Sequence, residues 1–130
     1  MKKIIVLTAL LLCAATVTFA QEPSSKIKFD EILHNFGTFP ETQPIQKCVF
    51  KFTNVGDQPL VINQAVASCG CTVPEYTKTP IPPGGKGTVE VTYNGKGKFP
   101  GHFKKSITIR TNGIYPVTRI YIEGTMTEAK

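Results

Sequence analysis

Polar and apolar residues alternate two by two along most of the chain. Ile27 and Phe29 are set between Lys26, Lys28 and Asp30, the period of a strand with one face covered. The stretch HNFGTF at 34–39 is short and aromatic, and Gly37 within it predicts a strand that bends or bulges. In KCVFKFTN, residues 47–54, Cys48, Phe50 and Phe52 share one parity, and Val49, Lys51 and Thr53 the other, so Cys48 is expected on the core face. LVINQAVA at 60–67 predicts a further extended segment, introduced by Gly56, Asp57 and Pro59, but its alternation fades after Ile62. The pattern returns at Val89, Val91 and Tyr93, at Phe103, Ile107 and Ile109, and at Val117, Ile120 and Ile122.

Turn chemistry separates these runs. IPPGG at 81–85 combines a proline that cannot donate to a ladder with glycines that tolerate positive φ, and Asn112-Gly113 turns the chain into the last strand. NGKGKFPG at 94–101 is rich enough in glycine to suggest a phosphate cradle, but no helix follows to supply an N-terminus, so it is expected to be a connection. Beyond residue 20 no segment carries a helical period. Six or seven short strands predict an all-β, immunoglobulin-like β-sandwich of about seven strands, with a small barrel as the alternative.

The first twenty residues follow a different pattern. Lys2 and Lys3 precede the apolar run from Ile4 to Val17, and Thr18-Phe19-Ala20 fits a small-x-small cleavage site. This reads as a signal peptide over residues 1–20, too short to span a bilayer, which takes about 20 apolar residues. Cys13 follows Leu12, where lipoprotein processing requires a small residue, so no lipid anchor is expected. Residues 21–25 are a polar, flexible lead-in, and 26–130 form one domain, a length that supports one modest core. Removing the leader lowers the formal charge from +6 to +4, since it carries Lys2 and Lys3 and no acid. The densest basic stretch, Lys96, Lys98, Lys104 and Lys105, reads as a solvated loop and strand face, and nucleic acid is not an expected partner.

Export places Cys48, Cys69 and Cys71 in oxidising surroundings, where an odd count leaves one thiol over. In an extended strand the Cα atoms of Cys69 and Cys71 would lie roughly 6.6–7.2 Å apart, at or beyond the usual limit of about 6.8 Å for a disulfide. Gly70 lets the chain kink, so a bridge there is possible but expected to be strained. A three-residue ring contributes less than about 2 kcal/mol of loop entropy, against roughly 3 kcal/mol for closing back to Cys48. A purely structural staple therefore favours Cys48, whose alternative is to pack as a small buried hydrophobe. Cys69 and Cys71 could instead act as redox thiols or hold a soft ion, with His34 or His102 adding a nitrogen. A zinc signature, however, needs a second paired motif, and each histidine is equally at home on a strand edge or loop. No cofactor pattern is legible. Catalysis is not expected: no helix or cation is placed by sequence to activate a cysteine, and the acids are scattered apart from Asp30-Glu31.

The blocks NFGTF, FKFTNVGDQPLVI, SCGCTVPEY, IPPGGKGTVEVTYN, GHFKKSITIRTN and IEG occur in that order over nearly all of residues 35–124. They resemble the bacterial family of unknown function DUF1573, most specifically at Ser68, Cys69, Gly70, Cys71 and Thr72. That family is similar to the immunoglobulin-like domains of major sperm protein and cilia-associated proteins, which bind other proteins or themselves. The resemblance implies an exported module, periplasmic or on the cell surface, that binds another envelope protein or a copy of itself. It supplies no activity. The family pattern does not require Cys48, which implies that the motif pairs Cys69 with Cys71.

Overall fold

The computed structural model describes residues 23–129, so the leader and the start of the lead-in lie outside the described residues. Eight strands follow one another: β1 (Ile27–Phe29), β2 (Leu33–Pro40), β3 (Ile45–Asn54), β4 (Ile62–Ala67), β5 (Thr72–Tyr76), β6 (Lys86–Asn94), β7 (Gly101–Thr111) and β8 (Val117–Thr127). They form two four-stranded sheets, ordered β1-β3-β6-β5 and β2-β8-β7-β4. The architecture is the immunoglobulin-like sandwich, with two separate sheets and no closed barrel. Among the described residues no helix is long and apolar enough to cross a membrane.

Period-two burial builds the core. Cys48 and Phe50 of β3 stand opposite Val91 and Val89 of β6 in an unbroken antiparallel register, and Phe52 and Tyr93 extend the same apolar face. The facing sheet contributes Ile107 and Ile109 of β7 and Ile120 and Ile122 of β8, all fully buried. Phe103 stacks on Tyr93 with ring centroids 3.9 Å apart, joining the two layers near the end where β5 begins.

Two departures from simple alternation explain what the pattern hides. The register of β4 against β7 shifts between Ile62 and Gln64, and this bulge turns Ala65 and Ala67 toward the core. The chain also changes sheets early. β1 pairs antiparallel with β3, and by Ile32 the carbonyl already accepts from Tyr121 N at 2.7 Å, starting the parallel pairing of β2 with β8. The strand beyond the seven expected is β5, whose Pro74 disguises it. Asn94 N donates to Cys71 O and Thr77 N to Thr88 O, so the odd residues of β5 turn toward β6. Pro74 therefore has its missing N–H on the free flank, where no ladder bond is lost.

Candidate functional site

Ser68 to Cys71 carry the chain from β4, at the edge of one sheet, to β5, at the edge of the other. Ser68 N donates to Ser106 O at 2.9 Å and Ser68 Oγ accepts from Ser106 N at 3.3 Å, which prolongs the β4–β7 pairing by one residue. Thr72 N then donates to Cys69 O at 3.3 Å, closing a tight turn over residues 69–72.

That turn corrects the extended geometry assumed from sequence. Cys69 and Cys71 are disulfide-bonded with their Cα atoms 5.3 Å apart, well inside the usual span. Gly70 has no positive φ, and a Cβ added to it would meet nothing within 4 Å, so the kink needs neither left-handed torsion nor missing side-chain volume. Cys71 is buried, and Cys69 is half-buried against the core. The buried Thr72 hydroxyl lies 3.7 Å from Cys71 Sγ and 3.9 Å from Cys69 Sγ, so one O–H faces both sulfurs.

Among the described residues, Cys48 is the free thiol. It sits on the inner face of β3 opposite Val91, and burial pushes its thiol up to about 12. A folded value above the unfolded one stabilises the native state fully below the unfolded pKa, near 9.0. The contribution is lost as pH rises between those two values, at up to about 1.4 kcal/mol per pH unit. Accordingly, iodoacetamide at pH 8 is expected to leave native Cys48 unlabelled and to label it fully in denaturant. Rapid labelling of the native protein would contradict this placement.

The two histidines are not brought to the sulfurs. The His34 ring packs against Phe36 at 4.8 Å and lies 6.4 Å from Phe50. His102 is exposed, with Nδ1 3.4 Å from Thr125 Oγ1 and Nε2 3.7 Å from Glu123 Oε2. Among the described residues no three of His, Cys, Asp and Glu gather into a group that could hold a metal ion.

Sequence reading overlooked the buried amide of Asn54. Its Nδ2 donates to Gln58 O at 2.7 Å and Ile81 O at 3.0 Å, and its Oδ1 accepts from Lys26 N and Gly56 N. The signal was a polar residue falling on the apolar parity of β3. On the side of the sandwich that holds the cystine, Tyr76 Oη reaches Asn63 O at 3.4 Å and links the two edge strands.

Curated proteins provide no match to the chain. Among solved structures, a protein of unknown function from Porphyromonas gingivalis W83 is similar at 17% identity and a TM-score of 0.66. The match covers 78% of this chain and 46% of that one, so the chain spans less than half of its length. The ASH/PapD-like domain 7 of human CEP192 is similar at 12% identity and a TM-score of 0.64, with 85% and 92% covered. The periplasmic chaperone SfaE is similar at 10% identity and a TM-score of 0.56, over 81% of this chain and 59% of that one. These likenesses describe the fold. The family model described as "Protein of unknown function (DUF1573)" matches residues 27–126, and the chain belongs to that family.

Proposed function

We propose that the protein is an exported module of the bacterial cell envelope that works by binding another envelope or surface protein, with Cys69–Cys71 clamping the corner between its sheets. The observation that carries the reading is the cystine at the β4–β5 crossover, because thiol pairs stay oxidised in exported compartments and are kept reduced in the cytosol. The leader at residues 1–20 supports the same location. Binding as the mode of action is supported by the fold, which is similar to that of the periplasmic chaperone SfaE. Unpaired sheet edges give such a fold a means of holding an extended partner.

Fractionation of the native bacterium tests the reading. The expected product is an envelope protein beginning at Gln21, with one alkylatable thiol after denaturation and two more after reduction. Cross-linking in intact cells is expected to give a discrete adduct. A cytosolic protein that keeps residues 1–20, with four free thiols and no adduct, would reject it.

A further inference from the structure

The two sides of the sandwich are finished differently. On the side of β4 and β5, the cystine turn and the Tyr76 hydroxyl tie the two sheets together, and Pro74 removes a donor from the outer flank of β5. On the side of β1 and β2, β3 outruns its neighbour: β1 pairs with it only as far as Phe29↔Phe52, and Asp30 N adds a last bond to Lys51 O at 2.9 Å. The chain then leaves for the other sheet. The phase of the ladder identifies what is left over. Asn54 N donates to Gly85 O, so even residues of β3 turn their backbone groups to β6, and odd ones turn theirs to the β1 flank. The N–H and C=O groups of Lys47 and Val49 therefore face a flank that no strand pairs with among the described residues.

This stretch also has the side chains of a docking edge. Ile45 and Val49 are 55% and 51% exposed beside exposed Lys47 and Lys51. A groove of about 210 Å³ runs along it between the sheets, lined by Asp30, Glu31, His34, Val49, Phe50 and Lys51. Resting on the binding-module reading above, we propose that β3 from Ile45 to Val49 is a strand-addition site for an extended segment of a partner protein bearing carboxylates at alternate positions. Charge selects that occupant. An added strand bonded to Lys47 and Val49 sets every second side chain beside Lys47; the intervening ones face the groove at His34 and Phe50, where the lining carboxylates Asp30 and Glu31 disfavour acids and so confine them to the Lys47 face. A second copy of the chain is disfavoured at the same edge, because antiparallel self-pairing gathers Lys47 and Lys51 from both strands.

The register supplies a clean variant. The Val49 N–H is unused within the sheet, so Val49→Pro removes one donor from the edge and leaves the β3–β6 ladder intact, as Pro74 does on β5. The probes are short capped peptides of alternating valine with glutamate, or of valine with lysine, added at millimolar concentration to the mature protein and followed by amide NMR and hydrogen exchange. The glutamate peptide is expected to protect the Lys47 and Val49 amides, which exchange freely without it, while Cys48 and Phe50 stay protected throughout. Val49→Pro is expected to abolish the effect. Lys47→Glu is expected to weaken the glutamate peptide roughly fivefold and to favour the lysine peptide instead. Lys47→Glu and the wild-type exchange pattern decide the matter even if Val49→Pro fails to fold. Equal binding of both peptides, no added protection, or a dimer that itself protects Lys47 and Val49 would overturn the proposal. An envelope adduct that persists in Val49→Pro rejects this edge and leaves the binding-module reading standing.

Discussion

Asn54→Ala is expected to cost about 3–5 kcal/mol, a large share of the roughly 5–15 kcal/mol that keeps a domain of this size folded. The side chain is fully buried and makes four hydrogen bonds to backbone groups, at Lys26, Gly56, Gln58 and Ile81. Truncation orphans two carbonyls and two N–H groups, each at about 1 kcal/mol or more, with entering water offsetting part of the loss. Asn54→Asp is expected to be nearly as damaging, since it keeps the two accepted bonds, loses the two donated ones and puts a carboxylate beside two carbonyls. Equilibrium denaturation by urea measures both. A loss under 1 kcal/mol for either variant would show that the amide is not the hub of this end of the sandwich.

Phe52→Ala carries a cost of similar size, about 3–5 kcal/mol, from lost apolar burial and the cavity left behind. The Phe52 ring is fully buried and meets Phe29 edge-on at 5.5 Å. It also lies over Gly87, its partner across β6, where an added Cβ would come within 2.5 Å of Phe52 Cζ and 2.6 Å of Ile81 Cδ1. The glycine is thus required by close approach and not by torsion. Gly87→Ala alone is expected to destabilise by about 1–3 kcal/mol through overpacking. Combined with Phe52→Ala, the new methyl enters vacated space, and the double variant should be more stable than the two single losses predict. Simple additivity in that cycle would contradict the packing described.

These two residues also mark where sequence reading succeeds and where it stops. Phe52 was legible because β3 and β6 alternate without interruption, so parity alone assigns Cys48, Phe50, Phe52, Val89 and Val91 to the core. Asn54 shares that parity, but the carbonyl of Ile81, 27 residues away, is not written in any local pattern. The alternation in β4 faded for a physical reason, a bulge that reverses parity after Ile62. Thr72–Tyr76 was invisible as a strand because Pro74 argues against one, and only the ladder phase shows that its missing N–H costs nothing there. The Cys-Gly-Cys motif was legible as a special site. Geometry alone left its pairing open, since extended backbone sets the two residues at the limit of a bridge and nothing local announces the turn that brings their Cα atoms to 5.3 Å; the Cys69–Cys71 pairing came from the family resemblance.

The parallel union of β2 with β8 joins residues near position 33 to residues near 121, and β8 lies between β2 and β7 in its sheet. A polypeptide delivered N-terminus first therefore cannot complete that layer until its closing segment has emerged. Closure of that sheet waits on β8, and up to that moment β2 has no strand to pair with.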